Sequence, residues 1–374
     1  MKFTHVAAVS LAIGSAIALT ACSSSTTPNT KPEPSTASVS YEIDPTLTGT
    51  ITAGGSSAQA NAQAAWTAAF NARAKGVTIN YDKSQGSGGG VTNFTAGSYD
   101  FAGSDSPLKP EQVTAAEAVC GTDGAIDLPV YLDGVAVIYN LPGVTDLKLS
   151  SETIAKIFSL KITTWDDAAI KAENPDATLP STPITTVTRS DGSGTTTNFT
   201  NFLSQTSPSI WTYTPGNTWP VAGSSAQQGG SGVVNTVKAG TGTIGYADHS
   251  AIGDVTAAAI KAGSSKDYVE FSAKGASNAF ALAATAAPTT VEGDLSKKLD
   301  YTKINDKSAY PIPLLSYLIV CKTFESADQA KLTKAYASYI ASDEGQAVAN
   351  KNAGSAPLPT DALQEIQKSL ALIK

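Results

Sequence analysis

A chain of 374 residues with 41% hydrophobic and 15% charged residues has a globular composition, and its length past any leader exceeds what one compact core holds, which predicts two domains. The formal net charge of −7 argues against nucleic acid and against an anionic membrane surface as partners, but not against a small anion held by local donors. Histidine occurs only at His5 and His249, so a zinc site or a Ser-His-Asp triad would have to use His249, which sits in Tyr246-Ala247-Asp248-His249-Ser250 with no partner pattern around it. That stretch reads as a polar turn, and neither a metal site nor a cofactor is expected.

The chain opens with Lys2 and His5 ahead of an apolar run from Val6 to Leu19, short for a bilayer span and right for the core of a signal peptide. The run ends in Leu19-Thr20-Ala21-Cys22, which resembles a lipobox, the cleavage signal of bacterial lipoproteins. That resemblance implies a signal peptide over 1–22, with Cys22 as the lipid-bearing mature N-terminus, and an extracytoplasmic protein anchored to the cell membrane. Residues 23–45 are rich in Ser, Thr and Pro with little to bury, and read as a disordered tether. Cys120 and Cys321 remain, and two cysteines in an exported chain most often pair.

Leu47 to Ala53 alternates and reads as a strand; it meets Gly54-Gly55-Ser56-Ser57 and then a helical stretch carrying Trp66 and Phe70. Val77 to Tyr81 is the next strand by its β-branched content, followed by Gln85-Gly86-Ser87-Gly88-Gly89-Gly90 and a helix through Val91 and Phe94. Tyr99 to Gly103 is a short strand that delivers Ser104 and Asp105 to its end. Val130 to Asn140 is a strongly apolar strand, and Ser150 caps a helix whose face is Ile154, Ile157 and Phe158. Ile184 to Thr188 is the strand that delivers Arg189, one of only two arginines in the chain, to a Ser193-Gly194-Thr195 turn and a helix with Phe199, Phe202 and Leu203. Gly229-Gly230-Ser231-Gly232 starts another helix, Thr243 to Tyr246 is a strand, the region from about Lys261 to Asp306 is weakly patterned, Ile312 to Val320 is a buried strand, and Lys331 to Ile340 is an amphipathic helix.

A strand, a Gly/Ser turn and a helix start thus recur at Ser57, Ser87 and Ser193. Strands alternating with helices imply parallel sheets, in which ligands collect at the carboxyl ends of strands beside helix N-termini. Free N–H groups and the backbone dipole make such starts anion sites, and a guanidinium adds a planar fork that matches two oxygens. The glycine runs lack the Gly-Lys-Ser/Thr ending of a P-loop and the Gly-x-Ser-x-Gly spacing of a nucleophile elbow.

Five motifs stand in one order: Gln85 to Gly90; Asp100-Phe101-Ala102-Gly103-Ser104-Asp105-Ser106-Pro107-Leu108; Ile154 to Phe158 with Ile162 to Asp166; Arg189-Ser190-Asp191-Gly192-Ser193-Gly194-Thr195; and Gly242-Thr243-Ile244-Gly245-Tyr246. Together they resemble the phosphate-binding lipoproteins (PstS family) that feed the phosphate ABC transporter, over roughly residues 47–360. The resemblance implies an α/β periplasmic-binding-protein fold, type II-like, with two parallel-sheet lobes joined by a two-strand hinge. One lobe would be 46–130 plus 312–374 and the other 131–311, with Cys120 and Cys321 both in the first. It further implies a monomeric receptor, not an enzyme, that hands inorganic phosphate to membrane permease subunits.

Carried over residue by residue, the phosphate site would be Ser57, the Ala58 N–H, Ser87, Asp105, Arg189, Ser193, Gly194 and Thr195. Asp105 would accept a hydrogen bond from protonated phosphate and reject fully ionised sulfate, which offers only like charge. Two plainer roles compete with these: Asp105 as the partner of Arg189 in a surface ion pair, and Ser87 as a helix cap. Other functions remain open at this point: a receptor for another oxyanion such as sulfate or molybdate, a surface phosphoesterase using Ser193 or Ser87 with Asp191 or Asp105 as base, or an anchored structural protein.

Overall fold

The computed structural model describes residues 38–374; the leader, Cys22 and the tether up to residue 37 lie outside the described residues. Residues 38–45 correct the expected end of the tether. Val39 and Ile43 are buried, and the Val39 N–H donates to Asp343 Oδ2 at 2.8 Å, so two apolar side chains dock this polar stretch on the body.

The first half of the chain runs β1 (Thr48–Gly55), α1 (Ala60–Arg73), β2 (Gly76–Asp82), α2 (Gly86–Thr95), β3 (Phe101–Ser104), α3 (Pro110–Cys120), β4 (Ala125–Asn140), β5 (Lys148–Ser150), α4 (Ser151–Phe158) and α5 (Ala168–Glu173). β1 buries Ile51 and Ala53, and α1 buries Trp66 and Phe70, one turn apart as their spacing predicts. Trp66 Nε1 donates to the Gly345 carbonyl at 2.7 Å, which gives its polar edge a partner in the core. The glycine run is not a loop ahead of a helix, as expected, but forms the first turns of α2 itself. A Cβ at Gly90 would lie 2.5 Å from Gly55 Cα, so the poor helix propensity of glycine is offset by close approach of α2 to β1. α3 carries no apolar periodicity in the sequence, but Pro110 occupies its start and Glu111 its first turn, both favourable there. Ser150 caps α4 as predicted, accepting from the Thr153 N–H at 3.2 Å.

The second half runs β6 (Thr185–Arg189), α6 (Gly194–Thr206), β7 (Ser225–Gln227), α7 (Gly229–Ala239), β8 (Thr243–Asp248), β9 (Thr256–Ala257), β10 (Ala259–Lys261), α8 (Ala273–Ala283), β11 (Ala284–Ala286), β12 (Lys297–Leu299), β13 (Pro313–Cys321), α9 (Ala327–Ile340), α10 (Asp343–Ala353) and α11 (Thr360–Ala371). The weakly patterned region from 261 to 306 holds α8 and the β11–β12 pair.

Among the described residues the main sheet has nine strands in the order β2-β1-β3-β13-β4-β8-β6-β7, with β9 beside β4. β2, β1 and β3 are mutually parallel, as are β8, β6 and β7. The two parallel sets meet through β13 and β4, which are antiparallel to each other and to their outer neighbours β3 and β8. β4 serves both sets: Ala125 to Gly134 pairs with β13, and Val135 to Asn140 pairs with β8. Cys120, at the end of α3, is bonded to Cys321, at the end of β13, with Cα atoms 5.0 Å apart. An aromatic cluster of Phe158, Phe199, Trp219 and Tyr246 packs beneath α6.

Candidate functional site

The carboxyl ends of β1, β3, β6 and β8 carry Ser56 and Ser57, Asp105, Arg189 and Asp248, and the starts of α2, α6 and α7 stand beside them. Asp105 is the hub. It is 4% exposed, and its carboxylate accepts from four hydroxyls: Ser56 Oγ, Ser316 Oγ at 2.6 Å, Ser87 Oγ at 3.3 Å and Thr195 Oγ1 at 3.5 Å. Its backbone is held too, since its N–H donates to Ser87 Oγ at 3.2 Å and its carbonyl accepts from Asn198 Nδ2 at 2.7 Å. Burial pushes the Asp105 carboxyl above its ordinary range, against the donors Ser316 and Ser56 and the charge of Arg189. The hydroxyls therefore stabilise a buried charge that would otherwise be costly.

Asp105 does not form an ion pair with Arg189. Arg189, 3% exposed, gives its Nε to Asp191 Oδ1 at 2.7 Å and its Nη2 to Asp191 Oδ2. Burial alone would raise the Asp191 carboxyl, but the hydrogen bond and charge of Arg189 outweigh it and hold it below the usual range. One edge of the guanidinium is thus fixed by Asp191, which also accepts from the Gly229 N–H at 3.0 Å, and the Nη1 end has no hydrogen bond among the described residues.

The start of α6 is built for close approach. Ser193, fully buried, caps it by accepting from the Thr196 N–H at 3.1 Å. A Cβ at Gly194 would lie 2.5 Å from Ser87 Oγ and 2.6 Å from Asp105 Cβ, so only glycine lets this turn meet α2 and β3. The Gly192 carbonyl accepts from the Gly88 N–H at 2.8 Å, which ties the two helix starts together. Ser57 Oγ accepts from the Gly230 N–H at 3.3 Å, and the Ala58 N–H donates to Ser56 Oγ at 3.1 Å. Ser87, Asp105, Gly194 and Thr195 are therefore drawn together directly, Ser193 caps the same helix start, Arg189 is held by Asp191, and Ser57 and Ala58 join through Gly230 and Ser56. Cavities of about 330 and 390 Å³ lie against this cluster, the first lined by Asp105, Thr197 and Lys297, the second by Ser87, Gly194 and Asn217.

Ser56, Ser316 and Asp248 escape the motif reading, and Asp191 enters it only as a candidate base, not as the partner of Arg189. Ser316 left one signal, a lone small polar residue inside the run Leu314 to Val320. The β4–β13 register shifts between Ser316 and Tyr317, where β4 carries the extra residue Val130, and Ser316 Oγ beside this bulge donates to Asp105. Asp248 is buried with its Oδ1 unpartnered, and Asp133 on β4 is buried likewise. Burial pushes Asp248 up to about 6 and, together with the charge of Asp248, pushes Asp133 up to about 7. His249 stacks on Phe271 with ring centroids 3.9 Å apart, and burial lowers its pKa.

A family profile described as a PBP superfamily domain matches residues 40–344. The chain is 35% identical over 307 residues to the phosphate-binding protein PstS 3 of Mycobacterium leprae, covering 81% of this chain and 80% of that one. It is 34% identical over 309 residues to the phosphate-binding protein PstS of Xylella fastidiosa, covering 81% and 79%. Its fold matches a putative phosphate ABC transporter substrate-binding protein from Clostridium perfringens with bound phosphate, at a TM-score of 0.58 and 19% identity over 82% of this chain and 98% of that one. It also matches a high-affinity periplasmic phosphate-binding protein, PfluDING, at a TM-score of 0.67 and 22% identity over 86% and 93%. With strand order, helix starts and relatives in agreement, the chain belongs to the PstS family of phosphate-binding proteins and has the periplasmic-binding-protein fold.

Proposed function

We propose that this protein is an extracytoplasmic receptor that captures inorganic phosphate and hands it to the permease subunits of an ABC importer, without catalysing a reaction. The observation that carries the reading is Asp105, a buried carboxylate ringed by hydroxyls at the meeting of two helix N-termini and beside a buried arginine. Asp105 accepts a P–OH, which sulfate lacks. The Nη1 end of Arg189, oriented by Asp191, supplies charge. The hydroxyls of Ser57 and Ser193 and the Gly194 N–H supply further donors, Ser87, Thr195 and the Ala58 N–H add to them by turning from Asp105 and Ser56 to the anion, and the dipoles of α2 and α6 favour the negative charge.

In this reading residues 46–130 plus 312–374 form one lobe and 131–311 the other, with the chain crossing at β4 and ahead of β13. Ser57, Ser87 and Asp105 then come from one lobe and Arg189, Ser193, Gly194 and Thr195 from the other. An anion bridging them draws the lobes together, a population shift toward the closed form. The protein acts as a monomer, held at the membrane through the lipid on Cys22.

Calorimetric titration tests this. The protein is unfolded and refolded to strip carried-over anion, then titrated with phosphate and with sulfate at neutral pH. One-to-one phosphate binding with no sulfate signal is expected. Equal binding of both anions would make it a general oxyanion receptor, and silence with both would remove the receptor reading.

A further inference from the structure

We infer that Asp248 is a second carboxylate of the anion site, one that selects phosphate in its dihydrogen form, so that capture strengthens as the medium acidifies. This deepens the phosphate-receptor reading and rests on it. β8 runs parallel to β6, so Asp248 at the end of one stands beside Arg189 at the end of the other. Asp248 is 1% exposed. Its Oδ2 accepts from Ser250 Oγ at 2.8 Å, while its Oδ1 has no partner among the described residues.

The direction of that free oxygen is defined by Gly230 at the start of α7. The position of a Cβ on Gly230 is 3.0 Å from Asp248 Oδ1 and 3.5 Å from Ser57 Oγ. Glycine therefore lets the start of α7 approach both the bare oxygen and a hydroxyl of the proposed site, which brings Asp248 Oδ1 to the side of the site that Ser57 occupies. A buried carboxylate oxygen without a donor is costly, and a ligand that brings a donor removes that cost.

Phosphate can bring it. The hydrogen phosphate dianion has one P–OH, which Asp105 takes, and it would then set a bare oxygen against Asp248. The dihydrogen monoanion has two and satisfies both carboxylates. Sulfate has none and meets two like charges in place of one.

The groups that face Asp248 set the sign of the pH dependence. Asp133 faces it from β4, its Oδ2 held by Tyr131 Oη at 3.2 Å and by the Ser250 N–H at 3.0 Å. The charges of Asp105 at the end of β3 and Arg189 at the end of β6 also reach it, the first raising its pKa and the second lowering it. As pH falls toward neutrality, phosphate gains its second proton while Asp248 remains an acceptor, so binding tightens. Asp133, at about 7, loses its charge in the same window, which adds no donor to the anion. Below about 6 Asp248 takes up its own proton and the gain levels off.

The test is calorimetry of the whole protein with phosphate from about pH 5.5 to about pH 8.5, in buffers of different ionisation heat. Above neutrality the dissociation constant for total phosphate should rise about tenfold per pH unit, with one proton taken up per phosphate bound. Asp248→Asn should flatten that slope and abolish the proton uptake while phosphate still binds. A flat profile without proton uptake in the unmodified protein would overturn the inference, whatever the variant does. An unchanged slope in Asp248→Asn would overturn the role of Asp248. Phosphate binding that is absent at every pH would instead bring down the receptor reading itself.

Discussion

Asp105 concentrates the chemistry of the site in one side chain. Its four hydroxyl donors come from the turn after β1, α2, α6 and β13, so its ionised form is stabilised by groups far apart in sequence. Asp105→Asn keeps the shape but replaces an acceptor oxygen with a donor amide. The expected outcome is at least a tenfold gain in sulfate affinity, about 1.4 kcal/mol, measured by competition against phosphate. Asp133 carries a different prediction. Its carboxyl is raised to about 7 in the folded state, so between the unfolded carboxylate value near 4 and about 7 the native protein binds more protons than the unfolded chain. Its ionisation thus costs stability that is lost as pH rises through that window. Asp133→Asn should raise the unfolding midpoint at about pH 8 by roughly 2–4 °C and have little effect at about pH 4, as read by calorimetric scans. An equal shift at both pH values would show that packing, not charge, is responsible.

At the scale of elements, the glycine-rich run illustrates how far local rules reach. The motif Gln85 to Gly90 announces a helix start, and α2 begins there, but propensity argues against glycines continuing as helix. What decides it is contact: Gly90 lies so close to Gly55 that a Cβ would force the backbone apart, and Gly88 packs tightly against Gly192. The disulfide belongs to this scale as well. It joins the end of α3 to the end of β13, both on the side of β4 that pairs with β13, across a separation of 201 residues. Replacing Cys120 and Cys321 together with serine should cost roughly 2–5 kcal/mol in denaturant unfolding. Phosphate affinity should stay within about twofold, since neither cysteine reaches the cluster around Asp105. A large loss of affinity would mean that the bond also orders the site.

The whole molecule is defined by β4 and β13, which join two parallel sets of strands into one sheet. If the sets are the cores of two lobes that close on the anion, saturating phosphate should reduce the radius of gyration in small-angle scattering, and Arg189→Ala should abolish the change. An identical radius with and without phosphate would mean that capture needs no closure.

Strands β1 to β4, β6, β8 and β13, the starts of α2, α4, α6 and α7, and the order of the anion-binding turns were legible in the sequence by itself. They depend on side-chain periodicity and turn chemistry within a few residues, as with Ser150 capping α4 and Ser193 capping α6. The resemblance carried by the spaced motifs added the family. Only the tertiary structure decided which groups surround Asp105 and Asp248. Ser316 reaches Asp105 across 211 residues because β13 pairs beside β3, and Asp191, close in sequence to Arg189, fixes its guanidinium once both are buried. The buried, unpartnered oxygen of Asp248 likewise depends on tertiary packing, since the start of α7 comes close to the end of β8 at Gly230. Contacts of that kind arise from strand order and burial, which no local spacing encodes.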